Sequence, residues 1–131
     1  MRGIFLDTSA CVAYFTADPR ATEAVAQAQE IVLNPVVLGE LLVGLRRGGT
    51  RARHEGRLRE FVGDPSVRMV SIDGETSERY AQIQNHLRAL GTPIPDNDLW
   101  IAASAMQYGL AVLTNDEHFR RIPQILCRFL E

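Results

Sequence analysis

Lysine is absent from this chain of 131 residues, and all 14 of its basic residues are arginines. The absence excludes mechanisms that require a lysine, among them the phosphate-binding loop of NTPases, Schiff-base chemistry and aspartyl-phosphate enzymes with a lysine partner. The acidic residues number 16, which gives a net charge of −2. A charge of this size provides no overall field that would attract nucleic acid to the protein.

Cysteine is scarce, and long apolar runs are missing. Cys11 and Cys127 lie at opposite ends of the chain without metal-binding spacing, so we expect two reduced and mostly buried thiols. His54, His86 and His118 are equally scattered, and a zinc site needs about four convergent ligands. No apolar run approaches the ~18 residues that cross a bilayer, and the N-terminus lacks a signal-peptide pattern. We therefore expect a cytoplasmic protein with no membrane partner.

Short apolar segments alternate with segments of helical periodicity along the chain. We predict strands over residues 4–6, 30–33, 67–72, 111–114 and 125–130, and helices over residues 9–15, 20–29, 35–47, 51–62, 75–90 and 96–108. This alternation predicts an α/β fold: a central parallel sheet of four to five strands with helices on both faces. The length, and the absence of any linker, predict one domain over residues 1–131.

Two aspartates, Asp7 and Asp116, each follow a predicted strand. Ligands and catalytic groups gather at the carboxyl edge of an open α/β sheet, and we expect both aspartates to emerge there. Each has a simpler explanation when taken alone. Asp7 would cap the first helix, and Asn115 with Asp116 would form a turn.

Two further acids, Glu40 and Asp98, lie on predicted helices and face apolar or small neighbours. A glutamate is rarely buried unless it is paired or binds a metal, yet Glu40 shares a helical face with Val36, Val37, Leu41 and Gly44. Asp98 shares a face with small alanines that would let its helix approach the sheet, while Asp96 is expected to be the N-cap. The alternatives are an exposed glutamate at the helix margin and an aspartate that stabilises the helix macrodipole.

Together, these four acids predict a metal site. Carboxylates within a few ångströms of one another repel, and a divalent cation removes that penalty. Ligands that are all oxygen favour Mg²⁺ or Mn²⁺. Because Mg²⁺ commonly takes phosphate oxygens as its remaining ligands, a phosphate ester is the natural substrate.

Arginines crowd residues 46–59, where Glu55 is the only acid. One interpretation is a solvated helical face. The other is a patch that contacts phosphate groups, because guanidinium groups bind phosphate oxygens in pairs.

The acids lie within four short motifs: Phe5-Leu6-Asp7-Thr8-Ser9, the Val-Val-Leu-Gly-Glu-Leu segment that ends around Glu40, the Asn-Asp-Leu-Trp-Ile-Ala-Ala segment with Asp98, and Leu113-Thr114-Asn115-Asp116 followed by Phe119. Each motif is weak alone, but their order is specific. In order and length they resemble the PIN-domain ribonucleases, and most closely the VapC toxins of bacterial toxin–antitoxin pairs. The resemblance covers essentially the whole chain.

The resemblance implies a Mg²⁺- or Mn²⁺-dependent endoribonuclease that hydrolyses RNA phosphodiester bonds by a metal-activated water. By position it implies catalytic and metal-binding roles for four acids: Asp7, Asp98, Glu40 and Asp116, of which the last matches the most variable position. It implies that Thr8 and Thr114 orient carboxylates and water by hydrogen bonds. On this interpretation the basic segment would contact RNA phosphates through Arg46, Arg47, Arg51 and Arg53.

The resemblance also implies a homodimer and a cognate antitoxin that blocks the active site. The helices over 35–47 and 75–90 are candidate partner surfaces, although packing into the core explains both equally well.

Two other functions start from the same residues. An aspartate-nucleophile phosphatase would use Asp7, but Ser9 stands where that class needs a second acid, and the chain has no lysine. The alternative that remains is a non-catalytic RNA- or protein-binding module with a PIN-like fold. An intact set of clustered acids disfavours it, because such clustering costs stability when no metal is bound.

Overall fold

The structure, a computed structural model, describes residues 3–47 and 51–131, and the side chains of residues 51 and 52 are left out of that description. These residues form five β-strands, six α-helices and one short 3₁₀-helix. The strands are β1 (Gly3–Leu6), β2 (Glu30–Leu33), β3 (Val67–Met69), β4 (Ala111–Thr114) and β5 (Cys127–Phe129). The helices are α1 (Thr8–Phe15), α2 (Pro19–Gln27), α3 (Pro35–Leu45), α4 (Arg51–Val62), α5 (Gly74–Leu90) and α6 (Asp96–Tyr108), with the 3₁₀-helix at Glu117–Arg121.

All strand pairs are parallel, and the strands lie in the order β3-β2-β1-β4-β5. The chain moves from β1 to β2 and β3 on one side, then crosses back to place β4 and β5 on the other. Because such crossovers are right-handed, α1 to α4 cover one face and α5 and α6 cover the opposite face. Most helix contacts follow the same division, with α1 packed on α2 and α3 and α5 packed on α6, while α3 also contacts α6. The predicted fold class is confirmed.

The three central strands are apolar along nearly their whole length because both sheet faces are covered. Ile4, Phe5 and Leu6 of β1 are fully buried, as are Val112 and Leu113 of β4. Burying each such large side chain stabilises the fold by roughly 1.5–3 kcal/mol. The sheet is therefore a rigid support for the residues that follow its strands.

The strand β3 is shorter than the predicted strand over 67–72. Its last residue, Met69, pairs with Leu33, the last residue of β2, and Asn34 then caps α3. A strand that extends beyond its neighbour has no partner for its backbone hydrogen bonds, so β3 ends where β2 ends. The strand β5 is likewise shorter than the predicted 125–130.

The start of α6 differs from the prediction. Pro95 occupies the N-cap position, and Asp96 is the first helical residue rather than the cap. The carboxylate of Asp96 instead accepts a hydrogen bond of 2.9 Å from the hydroxyl of Tyr80 on α5. That bond joins the two helices, and Asp98 remains in the first turn of α6.

Both thiols are free, as expected, with Cys11 buried and Cys127 half-buried. Among the described residues, no helix has the length and apolar character needed to span a membrane.

Candidate metal centre

Asp7 directly follows β1, the central strand of the sheet, beside which the strand order reverses direction. This switch point is the usual ligand site of an open α/β sheet. The side chain is only 3% exposed. Its Oδ1 accepts hydrogen bonds from the amide of Ala10 at 2.8 Å and the hydroxyl of Ser9 at 2.7 Å, so Asp7 does cap α1. Burial raises the pKa of Asp7 and the charge of Asp116 raises it further, whereas the hydrogen bonds lower it.

The hydroxyl of Thr114 connects the ends of β1 and β4. It donates to Oδ2 of Asp7 and accepts a hydrogen bond of 2.9 Å from the backbone amide of Asp116. Ser9 makes a parallel link, because its hydroxyl accepts the amide of Asn115 at 2.8 Å. The two strand-end aspartates are therefore held in one hydrogen-bonded unit, with Thr114 fully buried inside it.

Two carboxylates converge on one imidazole beside this unit. The Nδ1 atom of His118 lies 3.0 Å from Oδ2 of Asp98 and 3.1 Å from Oδ1 of Asp116. One ligand atom from each of these residues lies within 4.8 Å of the other two. Burial, and next the charge of Asp116, raise the pKa of Asp98 to about 6. The bond to His118 opposes that rise, and the charge of Glu40 adds a smaller increase.

Sequence reasoning missed His118 as a member of this site. The sequence argument considered the three histidines only as ligands of a shared zinc ion, whereas His118 contacts the carboxylates of Asp98 and Asp116. A local signal was present: His118 follows Asp116 by two residues, immediately after a predicted strand. The amide of His118 donates to Oδ1 of Asp116 at 2.9 Å, so the turn that begins the 3₁₀-helix brings the imidazole back towards the carboxylate.

Glu40 reaches the site from α3. It is half-buried, and its two carboxylate oxygens accept hydrogen bonds from different elements. The hydroxyl of Thr8 donates to Oε1 at 2.5 Å, and the side-chain amide of Asn97 donates to Oε2 at 3.3 Å. The two threonines singled out in the sequence therefore each hold one acid: Thr8 holds Glu40, and Thr114 holds Asp7.

An open cleft of about 470 Å³ joins these groups, lined by Glu40, Pro95, Asp96, Asn97, Asp98, Asp116 and His118. Three of the four predicted acids line this cleft. Asp7 lies in the buried hydrogen-bonded unit and joins the cleft residues through Thr114. The structure thus brings the four acids to one edge of the sheet, and it places Asp98 and Asp116 in the closest association.

A comparison with known families identifies this arrangement. The sequence profile of the PIN domain matches residues 4–125. The chain belongs to the PIN-domain family. The resemblance inferred from the four motifs is thereby confirmed.

Curated relatives of this PIN domain carry the name of a ribonuclease. Ribonuclease VapC4 of Mycobacterium tuberculosis is 33% identical over 90 residues, which are 69% of this chain and 69% of that protein. Ribonuclease VapC5 of the same organism is 30% identical over 114 residues, with 87% of this chain and 83% of that protein covered.

Solved structures agree with the fold over nearly the whole chain. DNA-bound VapBC from Salmonella typhimurium matches with a TM-score of 0.87 and 26% identity, covering 98% of both chains. VapBC2 from Rickettsia felis, bound to a DNA fragment from its promoter, matches with a TM-score of 0.86 and 22% identity over 100% of both chains.

The donor set of this PIN domain fits a divalent cation. Four carboxylates and an imidazole line one open cleft, and burial, followed by the excess of negative charge there, raises the pKa of Asp98. A hard dication removes that excess without a change in the fold. The cluster of Asp98, Asp116 and His118 is thus a place where this PIN domain could hold a metal ion.

The arginine segment approaches the acids at one point, where Arg57 lines a second pocket together with Thr8 and Glu40. Arg46 is exposed and pairs through Nε with Glu55 at 2.7 Å, while Arg47 and Arg53 are exposed. The side chain of Arg51 lies outside the described residues. In the part of the chain that the structure describes, no arginine lines the acidic cleft. The phosphate contacts of this segment stay a prediction.

Proposed function

We propose that this PIN domain is a Mg²⁺- or Mn²⁺-dependent endoribonuclease and the toxin of a VapBC-type toxin–antitoxin system. The observation that carries the proposal is the convergence of Glu40, Asp98 and Asp116 on one cleft, with Asp7 bonded into the same unit by Thr114. Support comes from relatives named ribonuclease VapC that are 30% to 33% identical to this chain.

The four acids Asp7, Glu40, Asp98 and Asp116 would hold the cation. When bound, a Mg²⁺ or Mn²⁺ ion offsets the charge of a phosphodiester and lowers the pKa of water, which makes water a nucleophile at neutral pH. The protein's own contribution is to fix the carboxylates before the substrate arrives. Supporting hydrogen bonds of this kind typically change metal affinity or activity by about 10- to 100-fold when they are lost.

Each acid has its own positioning group. Thr114 and Ser9 leave the carboxylate of Asp7 little rotational freedom, and Thr8 and Asn97 do the same for Glu40. The raised pKa of Asp98 means that protons compete with the cation for this carboxylate, so metal binding should weaken as the pH falls towards 6.

The shape of the cleft fits a polymer better than a small molecule. Its mouth is open and its lining is largely polar side chains, so that a phosphodiester in the middle of a chain can reach the acids. Single-stranded or loop regions of RNA meet this requirement because their backbone is accessible. We assign additional phosphate contacts to the basic segment through Arg46, Arg47, Arg51 and Arg53.

The partners follow from the same relatives. Solved structures similar to this chain are of VapBC proteins, one of them described as a member of a family of toxin–antitoxin systems, so we assign this chain a cognate antitoxin. The homodimeric state and the cytoplasmic location are carried over from the family resemblance. Of the two helices considered as partner surfaces, α5 buries Ile83 and Leu87 in the core, and α3 buries Val37 and Leu41. On α3, Val43 remains 56% exposed and is available to a partner.

The test is RNA cleavage by the tag-free protein with Mg²⁺, with Mn²⁺ and with a chelator. Wild-type protein should cleave only with the metal, and the Asp7→Asn and Asp98→Asn variants should each lose at least about 100-fold in rate. Glu78→Gln, which changes an exposed acid on α5, should cleave like wild type. Cleavage in the presence of chelator, or full activity of Asp98→Asn, would contradict the proposal.

A further inference from the structure

We propose that His118 is a direct ligand of the cation in the acidic cleft, and that its imidazole makes this site prefer Mn²⁺ to Mg²⁺. The inference rests on the metal dependence proposed above, and it assigns a fifth side chain and a metal preference to that site.

The spacing of the donor atoms is that of neighbouring ligands around one ion. In an octahedral site with bonds of ~2.1 Å, adjacent ligand atoms lie about 3 Å apart. The Nδ1 atom of His118 lies 3.0 Å from an oxygen of Asp98 and 3.1 Å from an oxygen of Asp116. The nitrogen is thus spaced from each oxygen as two neighbouring ligands of one ion would be, and one ligand atom from each of the three residues lies within 4.8 Å of the other two.

The imidazole is placed by two independent elements. The 3₁₀-helix fixes the backbone of His118 through the bond from its amide to Asp116, and the neighbouring Phe119 is buried in the core. Asp98 reaches the same ring nitrogen from the first turn of α6. The His118 side chain is 39% exposed and lines the cleft, so an ion in the cleft can reach Nδ1 directly.

The nitrogen decides which metal the site prefers. Mg²⁺ is a hard cation that takes oxygen ligands, whereas first-row transition ions accept imidazole readily. A site built only of Asp7, Glu40, Asp98 and Asp116 would bind Mg²⁺ and Mn²⁺ through the same kind of atom. Adding the nitrogen of His118 therefore strengthens Mn²⁺ binding more than Mg²⁺ binding.

A hydrogen bond from Nδ1–H to the two carboxylates would have the same distances, and it is the alternative to ligation. In that role the imidazole would position the acids without touching the metal. The two roles differ in an observable property, because only a ligating nitrogen couples magnetically to the unpaired electrons of Mn²⁺.

The experiment uses the tag-free protein with Mn²⁺ alone and no RNA. Electron spin echo envelope modulation should show a ¹⁴N coupling typical of bound imidazole, and ¹⁵N-histidine labelling should change its pattern. The coupling should persist in His86→Gln, whose histidine lies on α5 outside the cleft, and disappear in His118→Gln. By calorimetry, the ratio of the Mg²⁺ Kd to the Mn²⁺ Kd should fall by about tenfold or more in His118→Gln, the lower end of what losing a supporting group costs.

Two results would overturn the inference, and they have different consequences. Bound Mn²⁺ without nitrogen coupling in the wild-type protein would show that His118 only positions the carboxylates, and the proposed nuclease would stand. Absence of Mn²⁺ binding to the wild-type protein would remove both the ligand and the metal dependence. Because the wild-type spectrum decides between ligation and positioning, an unstable His118→Gln variant would not obscure the answer.

Discussion

The hydroxyl of Thr114, at the end of β4, donates to the carboxylate of Asp7, at the end of β1, and both side chains are buried. The residues that precede them, Leu113 and Leu6, are paired in the sheet. The register of two parallel strands therefore places the carboxylate of Asp7 next to its hydrogen-bond donor Thr114, although 107 positions separate these residues in the chain. One hydroxyl thereby connects the most buried acid of the site to the strand that leads to Asp116.

Removing this hydroxyl tests the connection. In Thr114→Val, the shape of the side chain is kept, but Oδ2 of Asp7 loses its closest donor. The pKa of Asp7 should then rise further, because that bond is one of the influences that lower it. We expect the free energy of unfolding to fall by roughly 1–3 kcal/mol, the usual cost of an unsatisfied buried group. Mn²⁺ affinity should fall by about 10- to 100-fold.

Chemical denaturation and Mn²⁺ calorimetry would measure the two effects of Thr114→Val. The matched control is Thr22→Val, which makes the same change at an exposed position on α2. A Thr114→Val variant with wild-type Mn²⁺ affinity would show that Asp7 does not depend on Thr114 for its orientation.

The contact between Thr8 and Glu40 gives a second test. The hydroxyl of Thr8 lies 2.5 Å from Oε1 of Glu40, and it is a hydrogen-bond donor to the carboxylate. If Thr8 acts only through Glu40, then Thr8→Val should lower kcat/KM in the wild-type protein. In the Glu40→Gln variant, adding Thr8→Val should lower kcat/KM little further. The expected coupling energy is about 0.5–3 kcal/mol, the range for residues in contact. Strictly additive losses in the double variant would mean that Thr8 has an independent role.

The raised pKa of Asp98 predicts how the stability of the metal-free protein depends on pH. Its pKa rises from the usual value of 3.8 to about 6, because of burial and the charge of Asp116. Between these values the folded state binds more protons than the unfolded state. The free energy of unfolding should therefore fall as pH rises through this window. Burial also raises the pKa of Asp7, so Asp7 should change the free energy of unfolding in the same direction.

Thermal denaturation in chelator between about pH 4 and pH 7 would measure this slope. In Asp98→Asn the slope should be shallower, and the variant should be more stable than wild type at the upper end of the range although it is inactive. Added Mn²⁺ should bind more weakly below about pH 6, where protons compete for Asp98. Glu78→Gln should retain the wild-type slope. A wild-type slope that Asp98→Asn leaves unchanged would mean that another group causes it.

The strand-end acids could be located from the sequence because they depend on a local pattern. An apolar run followed by an acid places Asp7 and Asp116 at the carboxyl ends of strands, and a parallel sheet brings those ends together. The helix-borne acids followed from a mismatch between a charged residue and its apolar face, which directed attention to Glu40 and Asp98. These arguments needed no knowledge of how the helices pack.

The sequence alone could not identify contacts between residues that lie far apart in the chain. The prediction of Asp96 as the N-cap was wrong. Asp96 is the first residue of α6, and its carboxylate accepts a hydrogen bond from Tyr80 on α5. The part played by His118 depends on Asp98, which lies 20 positions earlier and reaches it only through the packing of α6 beside β4. The end of β3 is likewise decided by the end of β2. In each case a tertiary neighbour competes with the local preference.

The basic segment provides the last prediction, because its arginines differ in how far their charge is already neutralised. Arg46 pairs with Glu55 at 2.7 Å, whereas Arg47 and Arg53 are exposed. If the segment contacts RNA phosphates, each contact releases counterions, and the salt dependence of binding measures their number. With single-stranded RNA, Arg47→Gln and Arg53→Gln should each reduce the slope of log K against log salt by about 0.7. Arg46→Gln should have a smaller effect, because Glu55 already offsets its charge.

Fluorescence anisotropy over a range of salt concentrations would measure these slopes, with the Asp7→Asn substitution present so that the RNA is not cut. Arg88→Gln is the matched control, since it removes an exposed arginine from the last turn of α5, a helix that packs on α6. The contacts carry no sequence information, so the loss of affinity should be similar for unrelated RNAs. If Arg47→Gln and Arg53→Gln bind RNA with the wild-type slope, the segment is a solvated helical face, and the RNA is held by the acidic cleft and its cation alone.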